Sequence, residues 1–547
     1  MQILGRGPTA RKLTAMVRVI TLLTIILLLS ASAVSYPTFA QTGNVDWPQF
    51  QYNAQHTGKS PAAVAPKYKL KWAWFDSSHI TRDFVSAAGR NITDSFGAGF
   101  KPSTVISEQV QPIVAEGKVY IGTINRVMYA LDALTGATRW EFATGGPILQ
   151  SAAYANSLVV FGSMDGYLYA LNASNGSLKW KYKTGAGVSA APIIAKGLVL
   201  VGSRDGLFYA VDLASGALKW SYRTRVNPAN TASPFNLAPI ITPAAVSEDN
   251  NVVLFGAENL FFYGLVTDTG AEKWPPVKLI GQSFDLGWPV VVGSKVIVRT
   301  RSSLVGAEWL MEEQLNTLPN NPSWAQEEPV IQNWLNQNPH QKTLYVFDIA
   351  TGQEPYQVAM GRVSGNNFTP FPPVVDYLGR ALTYWRVRST SFVQDGACFG
   401  TNHCPDISAL DLATGDRVQI SPRMNPGLAP ELDNGYVLTT GGEYLYLHNM
   451  FRGSHAVNLK TGQRTWIVAH VAKYDCGDFR AWGANIIFYG NDAVTDTCKP
   501  STTNRPEMPT ASGAAYAGMP IATTNGVTIL YSNEARAGMI AAFEHTN

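Results

Sequence analysis

Cysteine is nearly absent from this chain of 547 residues: there are four, and none stands before Cys398. Lipid attachment behind a cleaved leader needs a thiol at the new N terminus, so a lipoprotein is not expected. No Cys-x-x-Cys pair exists to depress a thiol pKa, which argues against a dithiol redox centre. Cys398 and Cys404 are too far apart for haem attachment, and Pro405 stands where that motif requires histidine. Excess charge is missing too. Lys and Arg number 42 against 39 Asp and Glu, with no basic stripe, so the counterions of a nucleic acid would not be displaced. Histidine is sparse, at eight residues. His340, His403 and His470 fall in segments with no serine elbow nearby, and nucleophilic hydrolysis finds no support. The one long apolar run, Val19 to Leu29, is shorter than the roughly 20 residues that cross a bilayer.

That run follows Arg6, Arg11, Lys12 and Arg18, and the first forty residues hold no Asp or Glu, which is the layout of an export leader. Two small-residue cleavage sites follow, Ala31-Ser32-Ala33 and Thr38-Phe39-Ala40. The second directly precedes the polar Gln41-Thr42-Gly43 and is preferred; the alternative is a leader retained as an anchor. Its removal takes four of the 42 basic residues and none of the 39 acidic ones, turning the formal charge from +3 to −1. The expected location is the periplasm or the medium, with no membrane span after the leader is removed. In such a compartment the cysteines read as two disulfides, with Cys398–Cys404 and Cys476–Cys498 the short-range pairing among those that four cysteines allow.

What the chain has in abundance is a repeat. Tyr129-Ala130-Leu131-Asp132 with Gly136 and Trp140 returns as Tyr169-Ala170-Leu171-Asn172 with Gly176 and Trp180, and again between Tyr209 and Trp220. The tryptophan spacing of 40 residues suits a four-stranded propeller blade and is too long for a leucine-rich repeat. Within one unit, four short β-branched or aromatic runs are separated by Lys196-Gly197, Arg204-Asp205-Gly206 and Ala214-Ser215-Gly216. These are hairpin turns. Weaker copies carry Gly270 and Trp274, Asp348 with Thr351-Gly352, Asp411 with Thr414-Gly415, and Asn458 with Thr461-Gly462 and Trp466. The C-terminal copy holds three strands only. The fourth is expected from Lys71-Trp72-Ala73-Trp74-Phe75, with Trp74 as its repeat tryptophan, so that the two ends of the chain close the ring. The expected fold is all-β: an eight-bladed β-propeller of four-stranded antiparallel blades, the last closed by the N-terminal strand. It would divide into a leader at 1–40, a lead-in at 41–69 and a propeller at 70–547. Two partly helical or irregular insertions fall at about 303–342, with helix-like stretches at Glu308–Leu315 and Pro329–Leu335, and at about 470–515.

The pattern Leu-Tyr-Ala-Leu-Asp-x-x-Thr-Gly-x-x-x-Trp, over about residues 70–543, resembles the repeat of pyrroloquinoline quinone (PQQ) binding-like propellers of the quinoprotein alcohol dehydrogenase-like superfamily. Asp46-Trp47-Pro48-Gln49-Phe50 with His56-Thr57-Gly58 is similar to the lead-in of many such proteins. The resemblance implies that the repeat tryptophans Trp140, Trp180, Trp220, Trp274, Trp466 and Trp74 dock between blades. Enzymes of the family hold PQQ with calcium over the channel, use an Asp as general base and often carry two adjacent bonded cysteines, a pair this chain lacks. Asp285, Asn367, Glu108 and Glu443 are the oxygen ligands on offer. Arg225, Arg299, Arg301, Arg386 and Arg388 are the candidate clamps for quinone carboxylates, and Trp288 or Trp482 the flat platform. Non-catalytic relatives use the disc as a docking scaffold, as outer-membrane assembly lipoproteins do.

Ligands of a propeller are expected at the channel mouth where the innermost strands begin. Superposing the starts at Pro112, Ala153, Pro192, Pro239, Pro289, Pro373, Pro430 and Pro520 gives a neutral ring of Gln109, Gln150, Ser189 and Asn236, with Asp285, Trp288, Asn367 and Asn425 near the same level. Such a ring suits a polar ligand, or simply a water-filled mouth. Two functions follow: a monomeric exported module that binds a small molecule or a protein, and a PQQ-dependent dehydrogenase of alcohols or sugars.

Overall fold

The computed structural model describes residues 44–75, 106–107, 109–225, 238–281, 283–284, 287–300, 317–319, 322–360, 372–388, 403–420, 438–449, 453–468, 519–534 and 539–545. It adds four short strands between 474 and 500. The described residues form eight sheets that follow one another along the chain as blades. Blade 1 shows the plan, with strands Ile113–Ala115, Lys118–Gly122, Val127–Asp132 and Thr138–Ala143 meandering outward from the axis. Blades 2, 3 and 4 repeat it with inner strands Ala153–Ala155, Ile193–Ala195 and Ala245–Ser247. Blade 5 has three strands, starting at Val290–Val292, and blades 6 and 7 start at Val374–Val375 and Leu438–Gly441. Blade 8 joins Ile521–Thr524, Val527–Glu534 and Met539–His545 to the N-terminal strand Tyr68–Phe75. The ring is closed by the two ends of the chain.

The repeat motif is a docking device. In blades 1, 2, 3 and 8 the outer strand carries a bulge just before a tryptophan, which then stands opposite an alanine: Ala130, Ala170, Ala210 or Ala542. The bulge turns the indole toward the next blade, and the small partner leaves room for it. Trp72, Trp140, Trp180, Trp220 and Trp274 donate their indole N–H to the carbonyls of Ala133, Ala173, Leu213, Thr267 and Ile349 at 2.8–3.1 Å. Three residues beyond each acceptor a glycine lies flat under the ring. Gly136, Gly176, Gly216, Gly270 and Gly352 have φ of 68–74°, and a Cβ there would stand 2.4–2.7 Å from the indole. The same turn is held by the repeat Asp: Asp132 accepts the N–H groups of Leu134 and Thr135 and the Thr135 hydroxyl. Between blades 5 and 6 Tyr356 stands in, donating to Leu412 at 2.7 Å above Gly415.

Trp72 is thus the repeat tryptophan of blade 8, a correction to the expectation of Trp74. The bulge between Leu70 and Trp72 sets the register. Trp74 falls instead at the level of Phe142, Tyr182 and Tyr222 and packs on Tyr129 at 4.9 Å, as those three pack on Tyr169, Tyr209 and Tyr263. Trp466 lies on the outer strand of blade 7, paired in the ladder with His455; its side chain is outside the described residues. Cys404 is on a strand of blade 6, while Cys398, Cys476 and Cys498 lie outside.

The first insertion contains the helix Trp324–Gln337, whose capping residue Ser323 donates its N–H to the Gln326 side chain. Trp324 packs edge-on against Trp385 of blade 6 at 5.3 Å. The stretch expected at Glu308–Leu315 lies outside the described residues. The second insertion includes Tyr474–Asp475 paired with Lys499–Pro500 and Phe479–Trp482 paired with Ile486–Tyr489. No described helix is long and apolar enough to cross a membrane.

Replacing Trp140 with Phe keeps a ring over Gly176 but leaves the Ala173 carbonyl only the long contact from the Tyr120 hydroxyl at 3.4 Å, and should cost about 1 kcal/mol. Gly176→Ala adds a methyl at a left-handed position already filled by the indole and should cost about 3 kcal/mol or more. Urea unfolding of both variants checks the order.

Candidate functional site

The axis of the ring is occupied by the chain's own lead-in. An innermost strand pairs on one side only, and its other edge faces the axis with its backbone polar groups. One residue of each inner strand, the second in blades 1–6 and the third in blades 7 and 8, occupies an equivalent place, as the hairpin registers show. At that place the N–H of Thr523, Val114, Tyr154, Ile194, Val246, Val291, Val375 and Thr440 donates, in blade order 8, 1, 2, 3, 4, 5, 6 and 7. The acceptors are the carbonyls of Val45, Trp47 and Pro48, the side chain of Gln49, and the carbonyls of Ala54, Gln55, Thr57 and Gly58, at 2.6–3.0 Å. Lys59–Ser60 then runs parallel to blade 7, and the Ser60 hydroxyl donates to Ile521 of blade 8. Sixteen residues of sequence from Val45 to Ser60 therefore touch every blade once and return to the first.

Each part of the lead-in motif has its place in this ring. The Trp47 indole and the Gln51 backbone N–H both donate to the buried side chain of Gln111. Positive φ at Gln51, Tyr52, His56 and Gly58 makes the tight turns that keep the segment at a small radius. At Gly58 a side chain would meet Gln51 and Val374. Phe50 fills the axis with Ala191, Trp288 and Val290, meeting Trp288 edge-on at 4.9 Å and His56 at 5.4 Å. His56 is fully buried, hydrogen-bonded through Nδ1 to the Pro289 carbonyl, and burial pushes its pKa down to about 4.

The rim expected from sequence lies two or three residues before the inner strands. Its superposition needs four shifts: the counterparts of Pro112 are Ala152, not Ala153, in blade 2; Ala244, not Pro239, in blade 4; Leu438, not Pro430, in blade 7; and Ile521, not Pro520, in blade 8. Gln150 is consequently level with Val110 and Ala190, one step from Gln109 and Ser189. It still reaches its neighbour, donating through Nε2 to Gln109 Oε1 at 2.6 Å, while its own Oε1 is buried without a partner. Ser189 accepts from Arg204 Nε at 2.9 Å. Trp288 is 4% exposed. Asn236, Asp285, Asn367, Asn425 and Pro430 lie outside the described residues. What the described rim offers is a set of neutral donors and acceptors with one nearby guanidinium, above an axis sealed by Phe50.

The groups named for a quinone and its calcium do not gather among the described residues. Trp288 shows no free ring face to stack on. Arg225 forms an exposed pair with Glu272, and Glu443 is taken by Lys460 and Asn458. Arg299 is sealed between blades, and burial lowers its pKa to about 9. No set of three His, Cys, Asp or Glu side chains among the described residues converges on a metal position. Glu108, Arg301 and the side chains of Arg386, Arg388 and Trp482 are outside them.

Eight radial sheets, closed end to end and keyed together by indole on glycine, define the class: a tryptophan-docked β-propeller. The family profile described as outer membrane protein assembly factor BamB matches residues 85–161 and 125–354. The matched stretch carries the PQQ-like repeat, and the fold of the chain is that of a PQQ-like β-propeller. Its fold is similar to that of a quinohemoprotein alcohol dehydrogenase from Pseudomonas putida HK5, at 12% identity over 91% of this chain and 80% of that one, with a TM-score of 0.51. A quinohemoprotein alcohol dehydrogenase from Comamonas testosteroni gives 13% identity, 92% and 81% coverage and a TM-score of 0.50. BamB from Moraxella catarrhalis gives 14%, 88%, 99% and 0.46. No curated protein matches the chain in sequence.

Because His56 protonates at about 6.5 when unfolded and only near 4 when folded, the unfolded chain binds the extra proton between those values. Stability attributable to this group is complete above pH 6.5 and falls by about 3 kcal/mol as pH drops to 4. His56→Asn keeps a residue tolerant of positive φ and removes the titration. Denaturant unfolding at a series of pH values should show a shallower acid slope for the variant, and parallel slopes would refute the assignment.

Proposed function

We propose that this is an exported propeller that works as a binding or scaffold module, holding a small polar molecule or a protein at the rim of its channel. The observation that supports this reading is the lead-in ring. It ties the inner edge of all eight blades to one segment, so the disc is rigid and its axis is filled. A rim built over a filled axis is a shallow site with a floor, lined by Gln109, Gln150, Ser189 and Arg204. Fixed amides and a hydroxyl of this kind orient a polar ligand through hydrogen bonds, with the Arg204 guanidinium the one charge beside them. Export rests on the leader pattern of residues 1–40, and N-terminal sequencing of the protein recovered outside the cytoplasm should begin at Gln41.

The competing reading is a quinone-dependent dehydrogenase. Purified protein mixed with PQQ and calcium, then passed through gel filtration, decides between them. Quinone absorbance retained with the protein, together with dye reduction by alcohols or sugars, would establish the enzyme and overturn the scaffold. Loss of the quinone and no dye reduction are the outcomes expected here.

A further inference from the structure

Arg299 ends the second strand of blade 5, opposite Leu344. Counting from the inner hairpin pairs, Ile113 with Tyr120 in blade 1 and Val290 with Ile297 in blade 5, it occupies the position of Gly122, Gly162, Gly202 and Gly256. In blades 1–4 the space beside that glycine is filled by an apolar side chain from the connection to the next blade: Ile148, Val188, Ile240 or Phe284. Each lies 2.2–2.3 Å from where a Cβ would stand. Blade 5 sends a guanidinium into the corresponding junction. It is 1% exposed. Nη2 reaches Thr383 Oγ1 of blade 6 at 2.7 Å and rests against Met360 Sδ, while Nε and Nη1 are buried without any hydrogen-bond acceptor.

Those two nitrogens carry three N–H donors between them. Among the described residues no carboxylate pairs with the group. A buried cation lacking both counter-charge and acceptors is among the costliest arrangements a fold can contain, and a bound anion removes both deficits at once. The guanidinium is enclosed between two blades, so any anion that reaches it has to be small. We propose that Arg299 anchors a buried anion site at the junction of blades 5 and 6, taking one singly charged ion of halide or small-carboxylate size. The site stands apart from the rim and does not depend on the scaffold reading.

The test uses the full chain in sodium chloride, bromide or formate, each compared with sodium gluconate at equal ionic strength, because gluconate is too large to enter. Wild-type protein should melt about 2 °C or more higher in at least one of the small anions than in gluconate. It should also broaden the chloride NMR line. Bromide displacing chloride more strongly than formate identifies a halide site, and the reverse order a carboxylate site. Arg299→Met should abolish both effects, and Arg299→Lys should retain a weakened form. Equal melting in all four salts with no chloride broadening, a result that needs no variant, overturns the proposal; so does broadening that persists in Arg299→Met.

Discussion

Eight inner strands arranged about one axis expose eight equivalent backbone edges, and a buried N–H without an acceptor is intolerable. This constraint shapes the centre of the molecule. A wider channel meets it with water. Here the lead-in meets it with its own carbonyls, advancing from blade to blade in steps of one to five residues. The small steps need turns that an ordinary extended strand cannot make, which is why left-handed residues cluster between Gln51 and Gly58. His56 is carried into the core by this path, and its neutral state is the consequence of that burial.

The outer ring solves a different problem. Among the described residues neighbouring blades share no ladder, so side chains must fix their spacing. The indole does so twice, through the donor on its edge and through the face that lies on glycine. Asp or Asn at the start of the turn holds that glycine in place in most blades, as Asp132, Asp348 and Asn458 do, while blade 4 has Val266 there. Lead-in and indole are complementary: one fixes the inner edges of the blades, the other their outer strands. Closure by Tyr68–Phe75 links the two, since the same N-terminal segment that rounds the axis continues outward to complete blade 8.

The blades were legible in sequence because their determinants are local. A turn motif, a bulge and a tryptophan recur within one 40-residue unit, and each copy must satisfy the same contacts. The lead-in ring was not legible, for it is made mostly by backbone carbonyls whose partners lie up to several hundred residues away, and carbonyls leave no mark in a sequence. The two tryptophans of the N-terminal strand show the boundary between these cases. Both fit the pattern of the strand, and only the bulge at Lys71 decides that Trp72 turns toward the next blade. At the rim, proline was an unreliable marker because alanine serves equally well before a short inner strand, as Ala152 and Ala244 show. The polar character of Gln109, Gln150 and Ser189 was visible, but their level along the axis was not.

Nearly every feature of the family motif is consumed by the fold. The Asp caps a turn, the Gly admits an indole, the Trp keys a blade, and Trp47, Gln49 and Gly58 seat the ring. Whatever distinguishes this propeller from its relatives must lie where the repeat departs from itself. The end of the second strand is such a place. It is glycine in blades 1–4 and then Arg299, Tyr384, His448 and Tyr531 in blades 5–8. Four blades close that level with apolar connections, and four place polar residues at it. An eightfold scaffold with one regular and one varied half has a direction, and a site that recognises a single ligand on a pseudo-symmetric disc requires that asymmetry.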